Sequence, residues 1–255
     1  MPPDEPVIND YDAFWKEALD AYLPDFLQLV APAVFAAIDW QQGYTSLDTE
    51  LQALFPVGRR GRRFVDRLYE VTLGDGSKAR LLLHLEVQVG PDRKILRRIH
   101  VYRFRIAAKL RAPVYTLLVL ADDDPQFRPS VYQEQVLDLR LRLDVPVIKL
   151  LDFKDDIQRL EQSDNPFSLL LLAWFGTRAS RPDRKRLAFK IRLVELLRAK
   201  GYDRERIRLV FRLLDWLVRL PEDLQLDFIH EAARRQGEQS KSNPCRSCHR
   251  PKSTS

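Results

Sequence analysis

Residues 64–89 read FVDRLYEVTLGDGSKARLLLHLEVQV and predict a β-hairpin. The runs 64–73 and 79–89 are rich in the aliphatic, aromatic and β-branched side chains that favour strands. The GDGS segment between them, residues 74–77, supplies residues that tolerate the positive φ of tight turns. We therefore expect two adjacent antiparallel strands at the centre of the fold.

Polar side chains occupy every other position of the second strand. His84, Glu86 and Gln88 share one face, because successive side chains of a strand point to opposite sides of the sheet. Asp66 lies on the first strand, and the hairpin brings its carboxylate near Glu86. A divalent cation such as Mg²⁺ would offset the repulsion between two carboxylates and activate a water for attack on phosphorus. The alternative is that Glu86 and Gln88 point to solvent and pair with arginines.

The apolar pattern on both sides of the hairpin predicts further helices and strands. Apolar residues recur every three or four positions, as in helices, over residues 12–34, 47–54 and 94–110. Short apolar runs typical of buried strands cover residues 113–120 and 145–151. Residues 131–143 allow either a helix or a long extended arm.

The strand pattern stops at residue 154. We expect a helical region over residues 154–236, in which Pro166 begins one helix and Asp203 caps another. The predicted organisation is an α/β domain at residues 1–153, this helical region, and a disordered tail at residues 237–255.

The tail contains the pattern Cys245-Arg-Ser-Cys248-His249, which matches the C-x-x-C-H motif of covalent haem attachment. We expect no haem, because haem chemistry needs an exported protein with an apolar pocket around the macrocycle. Half of a zinc site, completed by another chain, is an alternative to an unstructured tail.

Basic residues are concentrated after residue 55. Residues 1–55 hold one base and ten acids, whereas residues 56–255 hold 41 bases and 26 acids. The densest stretches are residues 59–67, 93–111 and 178–212. Such surfaces favour a polyanionic partner, because neutralised phosphates release condensed counterions, and we expect DNA. Solvated helix faces are the alternative.

The composition excludes other classes of protein. Hydrophobic residues make up 45% of the chain, which is enough for a packed core and excludes wholesale disorder. No apolar run reaches the roughly 18–20 residues that span a bilayer, so we expect no membrane partner. Residues 1–20 are acidic where a secretory signal would be basic and apolar, which predicts a cytoplasmic protein.

Four ordered segments carry a resemblance to a nuclease family. An acid on one strand, followed across a turn by E-x-Q on the next, resembles the PD-(D/E)XK superfamily, whose core order is αβββαβ. More narrowly, the segments DRLYEV, LLLHLEVQ, RRIHVYRFRIA and PVYTLLVLADD, within residues 10–152, resemble the recombination-promoting nuclease (Rpn) and PD-(D/E)XK transposase-like family of bacterial mobile-element proteins. The resemblance implies a restriction-endonuclease-like α/β core, with a mixed central sheet flanked by helices, and a C-terminal helical appendage follows it.

The resemblance also implies roles for three residues of the hairpin. Asp66 and Glu86 correspond to the acids that bind the catalytic metal, Mg²⁺ or alternatively Mn²⁺. Gln88 corresponds to the third catalytic position, which is a lysine in many nucleases. An additional acid from the first helical region is common in the superfamily, and Asp48 or Glu50 would serve. His84 is a candidate base or orienting residue, with a purely structural role as the alternative, and we leave it outside the catalytic set.

The predicted helix after the hairpin adds a candidate nucleic-acid contact. Arg98, Tyr102 and Arg105 recur at four and three residues and therefore lie on one side of that helix. Arginines there would hold the scissile phosphate and balance its developing charge. Arg98 and Tyr102 also match an arginine and a tyrosine of the family. Tyr102 lies on the apolar stripe too, so a core tyrosine is the alternative.

Two functions from different classes follow from these residues. The first is a metal-dependent DNA endonuclease that hydrolyses phosphodiester bonds, as one step of recombination or transposition. The second is a catalytically weak or inactive nuclease-fold protein that binds DNA or a partner. Asp66, Glu86 and Gln88 together favour the first, whereas glutamine in place of lysine keeps the second open. RNA as the substrate and a homodimer as the assembly also stay open.

Overall fold

Helices and strands alternate in the N-terminal part of the chain. The computed structural model describes residues 8–55, 64–77, 79–178 and 183–242. In chain order the elements are α1 (Ile8–Val30), α2 (Pro32–Ala36), β1 (Tyr44–Ser46), α3 (Asp48–Leu54), β2 (Phe64–Thr72), β3 (Arg80–Gln88), α4 (Ile95–Leu110), β4 (Val114–Leu120), β5 (Val131–Val136), β6 (Leu139–Asp144), β7 (Val147–Lys149), α5 (Ile157–Gln162), α6 (Pro166–Arg178), α7 (Asp183–Ala199), α8 (Arg204–Leu217) and α9 (Glu222–Ser242).

The predicted hairpin, β2 and β3, lies in the middle of a mixed sheet. The sheet has five strands in the order β1-β2-β3-β4-β7. Strand β2 is antiparallel to β1 and β3, whereas β4 is parallel to β3 and β7. The fold is therefore α/β with a mixed central sheet flanked by helices, which confirms that part of the prediction.

Helices cover the sheet on both faces, and the alternation of side chains decides which residue meets which helix. Leu68 and Leu82 pack with Ile106 of α4, so the even-numbered positions of β2 and β3 face that helix. Tyr69 points to the other face, where its hydroxyl donates to Asp20 of α1 (3.3 Å). The polar row of β3 occupies even-numbered positions and therefore lies beneath α4.

Residues 131–143 adopt the extended alternative rather than a helix. Strands β5 and β6 pair in an antiparallel hairpin that forms a separate two-stranded sheet. Leu137 in its turn has a positive φ of 54°, although it is not glycine. The alternating sequence Leu-Arg-Leu-Arg-Leu-Asp of β6 explains the outcome, because its apolar period is two rather than 3.6.

The chain divides into two compact units, Met1–Leu172 and Ala173–Ser255. The described part of the second unit is helical, as the sequence predicts for this region, and Asp203 caps α8 by accepting a hydrogen bond from Arg206 N (2.8 Å). Helix α9 continues past residue 236 to Ser242.

Several sequence features lie outside the described residues. They are the four arginines Arg59, Arg60, Arg62 and Arg63, and the tail motif with Cys245, Cys248 and His249. Across the described part of the chain, no helix combines the length and the apolar character that a membrane crossing requires.

A tight contact in the second unit gives a prediction about stability. A Cβ atom on Gly176 would lie 2.0 Å from Cε1 of the Phe189 ring. Gly176→Ala should lower the free energy of unfolding by about 1–3 kcal/mol, because the ring must move within packed helices. This loss should exceed the gain in helix propensity of about 1 kcal/mol. Urea unfolding followed by circular dichroism measures the difference.

Gly90→Ala is the matched control, since a Cβ there would meet no atom within 4 Å. It should leave the unfolding midpoint unchanged or slightly raised. Equal unfolding midpoints for Gly176→Ala and the wild type would contradict the packing at Gly176.

Candidate metal centre

The hairpin register places two carboxylates opposite each other. Asp66 of β2 pairs directly with Glu86 of β3, which confirms the proximity that the sequence predicts. His84 lies two residues earlier on β3 and shares their face. One ligand atom from each of these three residues lies within 4.8 Å of the others, so the hairpin alone assembles a potential metal site.

The site lies inside the protein rather than on a solvated face. His84 and Glu86 are fully buried and Gln88 nearly so, whereas Asp66 is half-buried. Two apolar clusters beneath α4 flank the polar row: one contains Leu51, Leu68, Leu82, Ile106 and Val114, and the other Ile95, Ile99, Leu118, Leu120 and Val145. The alternative is therefore wrong in pointing Glu86 and Gln88 to solvent, although both side chains do pair with an arginine, Arg98.

Each of the three possible metal ligands has one buried atom without a hydrogen-bond partner among the residues that the structure describes. These atoms are Asp66 Oδ1, His84 Nε2 and Glu86 Oε2. A buried polar atom without a partner costs about 1–3 kcal/mol, so such atoms require an explanation. A proton shared by the two carboxyl groups would satisfy the two oxygens, whereas a bound cation would satisfy all three atoms. The donor set therefore fits a divalent metal.

His84 can present a free lone pair to that cation. Burial lowers the pKa of its imidazole, which favours the neutral ring. In the tautomer that carries the proton on Nδ1, the ring donates to Thr116 Oγ1 (3.3 Å). Nε2 then keeps its lone pair, which a histidine needs in order to bind a metal. This atom lies 4.0 Å from Glu86 Oε2.

Arg98 of α4 compensates the other oxygen of Glu86. Burial raises the pKa of Glu86 well above its ordinary value, and the nearby Asp66 carboxylate raises it further. Arg98 opposes both effects, since its Nη2 donates to Glu86 Oε1 (2.5 Å). The same nitrogen donates to Gln88 Oε1 (3.1 Å), and Nη1 donates to Asp92 (2.6 Å). The guanidinium is thus fixed by three acceptors at the edge of the site.

Gln88 is held at both ends of its amide. Its Oε1 accepts from Arg98, and its Nε2 donates to the carbonyl of Gly90. The glutamine therefore orients Arg98, and the guanidinium provides a positive charge next to Glu86 although position 88 has no lysine.

Of the other two predicted nucleic-acid contacts, Tyr102 lines a small groove beside Asp66, and Arg105 lies near Phe55 of that groove. Tyr102 stacks on Phe55 with ring centroids 3.7 Å apart, and its ring is partly buried in the α4 cluster, in agreement with the core alternative. Arg105 is exposed, and its guanidinium lies 5.6 Å from the Phe55 centroid. A cavity of about 60 Å³ is lined by Asp66, Phe55, Tyr102 and Lys16, among others.

Neither helix acid joins the site. Asp48 forms an ion pair with Arg67 and accepts a hydrogen bond from Leu68 N (3.1 Å). Glu50 is exposed and lies outside the cluster. The expected additional metal ligand from this region is therefore absent from the described site, because Asp48 stabilises the junction of α3 and β2 instead.

His84, which the sequence analysis leaves outside the catalytic set, lies within the cluster of possible metal ligands. The signal for it was its position two residues before Glu86, on the same face of the strand. A histidine on a buried strand also occurs for packing alone, and only the distance to Asp66 and Glu86 distinguishes the two roles.

Comparisons with known proteins add no relative: no family model, no curated protein and no solved structure matches the chain. The resemblance to the Rpn and PD-(D/E)XK families therefore rests on the segments quoted above.

The buried ion pair gives a second stability prediction. Arg98→Ala should lower the free energy of unfolding by about 3–5 kcal/mol, because Glu86 would keep a buried charge without its cation. The deficit should grow as the pH rises, since burial and Asp66 raise the pKa of Glu86, and its carboxyl group needs the cation of Arg98 only once it has lost its proton. Urea unfolding at several pH values measures it.

Arg97→Ala is the control, because Arg97 is the exposed neighbour on the same helix. It should change the free energy of unfolding by no more than about 0.5 kcal/mol. The double variant Glu86→Gln/Arg98→Ala should recover part of the loss. If Arg98→Ala lowers the free energy of unfolding equally in the wild type and in Glu86→Gln, Arg98 stabilises the fold through packing alone.

Proposed function

We propose that this protein is a metal-dependent nuclease of the PD-(D/E)XK type, with DNA as its substrate. The observation that carries the proposal is the convergence of Asp66 Oδ1, His84 Nε2 and Glu86 Oε2, three buried atoms without hydrogen-bond partners. Two strands of one hairpin supply all three atoms, so the site needs no contribution from a more distant part of the chain.

The topology supports the same proposal. The elements α1, β1, β2, β3, α4 and β4 follow one another in the order αβββαβ, with α2 and α3 as short additions. The first four strands are also neighbours in the sheet. This order agrees with the core that the Rpn resemblance implies.

The chemistry of the ligands favours Mn²⁺ over Mg²⁺. Asp66 and Glu86 offer carboxylate oxygens, which suit both ions, but the imidazole of His84 is a poor ligand for Mg²⁺. A divalent cation in such a site lowers the pKa of a coordinated water and neutralises charge on a phosphate oxygen.

The chain's own residues have distinct tasks in the proposed reaction. Arg98 supplies a fixed positive charge beside the carboxylates, which favours an approaching phosphate and stabilises negative charge that develops on it. Gln88 and Asp92 hold the guanidinium in place. Arg105 and Lys109, one turn apart and both exposed, extend the positive charge along the groove side of α4.

A second candidate function is binding of DNA without cleavage. The observation that favours it is the close pairing of Arg98 with Glu86, which already neutralises one metal ligand. Such a site can be stable without a cation. Metal binding measured independently of cleavage distinguishes the two functions.

The central prediction concerns the three ligands. Asp66→Ala, His84→Ala and Glu86→Ala should each weaken Mn²⁺ binding by at least about tenfold, because each removes one donor from a three-donor site. Asp66→Ala and Glu86→Ala should also abolish nicking of supercoiled plasmid. Gln88→Ala should cost less activity than either, and Gln88→Lys should preserve it. Calorimetric titration and gel assays with Mn²⁺ and Mg²⁺ measure these effects.

Glu70→Gln is the matched control, since Glu70 lies on β2 on the same face as Asp66 but pairs with Arg80. It should leave both metal binding and nicking unchanged. DNA binding without measurable Mn²⁺ binding and without nicking would favour the binding-only function. Wild-type nicking by Glu86→Ala would show that the activity lies elsewhere.

A further prediction concerns the substrate. Affinity for unrelated duplexes should fall steeply between about 50 and 200 mM salt, because arginines that contact phosphates release counterions. Arg105→Ala/Lys109→Ala should reduce the slope of log affinity against log salt by about two. Fluorescence anisotropy measures both quantities.

Arg128→Ala serves as the control, because Arg128 is exposed but already pairs with Asp152 (2.5 Å). For this variant, the slope of log affinity against log salt should equal that of the wild type. An affinity independent of salt would contradict recognition through phosphates.

A further inference from the structure

The β5–β6 hairpin exposes a large apolar surface. Leu137 is 88% exposed, Leu139 is 70% exposed, and Val136 and Leu141 are exposed as well. A two-stranded hairpin is only marginally stable alone, and a contiguous apolar patch on a protein surface marks an interaction site. The hairpin therefore requires a partner surface.

The register shows that these side chains form one face. Val136 pairs with Leu139, Glu134 with Leu141, and Tyr132 with Leu143, and paired residues point to the same side. The base of this face packs on the protein itself, since Leu143 joins the cluster of Ile95 and Ile99, and Tyr132 stacks on His100 (5.1 Å). Among the described residues, the distal half of this face has Val136, Leu139 and Leu141 exposed.

A second apolar patch lies next to it, on the outer side of α4. Phe104 is 69% exposed and lies one turn after His100, the residue that stacks on the hairpin. Val101 is exposed beside it. The two patches therefore meet at the stack of His100 and Tyr132.

The two patches carry complementary charge. The apolar face of the hairpin includes Glu134, and its turn includes Asp138. Arg142 on the opposite face is paired with Asp144 (2.8 Å). Arg140 lies on that opposite face too, so the apolar face carries Glu134 as its one charged residue. This face suits a basic protein surface and opposes a nucleic acid. In contrast, the outer side of α4 is basic, since the exposed Arg97 lies two turns before Phe104 on the same side of the helix.

We propose that a second copy of this chain covers both patches. Because the hairpin and the outer side of α4 are adjacent, a two-fold axis near the stack of His100 and Tyr132 lays each hairpin on α4 of the other copy. Apolar side chains of the hairpin then contact Phe104 and Val101, and Glu134 faces the basic helix. Such an interface is isologous, so it closes at two copies. The dimer does not depend on the proposed nuclease activity.

Sedimentation equilibrium of the full chain tests the dimer. The wild type should be dimeric at micromolar concentrations, and Leu139→Glu or Phe104→Glu should each raise the dissociation constant by at least about tenfold, since each places a charge in the apolar contact. Leu226→Glu on α9 is the matched control, because Leu226 is similarly exposed, at 62%, but lies outside both patches. It should leave the dimer intact. Circular dichroism verifies that the variants are folded.

Mixing the two variants tests whether hairpin and helix contact each other across the dimer. A mixed dimer of Leu139→Glu and Phe104→Glu contains one interface with both native patches and one with both changes. The mixture should therefore dimerise more strongly than either variant alone. A monomeric wild type, a dimeric Leu139→Glu, or a mixture no stronger than its components would each overturn the proposal.

Discussion

Much of the first unit depends on one constraint, which is that the buried carboxyl group of Glu86 needs a compensating charge. Its carboxylate is fully buried and lies opposite a second carboxylate, Asp66, so its charge requires compensation from within the protein. Arg98 reaches it from α4 and pairs with one oxygen (2.5 Å). The position of α4 over the sheet is therefore set by charge as well as by the apolar clusters on both sides. The second oxygen of Glu86 has no partner and is the one that a cation would bind.

Helix α4 consequently has three different sides. Arg98 and Tyr102 face the sheet and the groove, while Ile95, Ile99 and Ile106 fill the apolar clusters. Arg105 and Lys109 lie on the groove side, and Val101 and Phe104 point outward. An α-helix has 3.6 residues per turn, so residues three or four positions apart lie on the same side. Each of the three sides of α4 can therefore carry its own type of residue.

Most of what the sequence could predict concerns the hairpin of β2 and β3. Alternation and the GDGS turn were sufficient to place Asp66 opposite Glu86, because both are local properties of two adjacent strands. They could not show whether the polar row was buried, since that depends on α4 packing above it. Asp48 was ambiguous for a related reason: a carboxylate at a helix start can bind a metal or an arginine, and Arg67 lies 19 residues away in the sequence. Strand β1 has only three residues, too few for a period of two to appear.

The burial of the site also determines how a ligand reaches it. His84 and Glu86 are enclosed by the apolar clusters, whereas Asp66 is half-buried and lines the groove with Phe55 and Tyr102. A ligand must therefore approach from the Asp66 side. Glu86 is fully buried, and the low dielectric constant of such surroundings would strengthen its attraction to a cation. The same burial makes two facing carboxylates costly, and Arg98 limits that cost by pairing with Glu86.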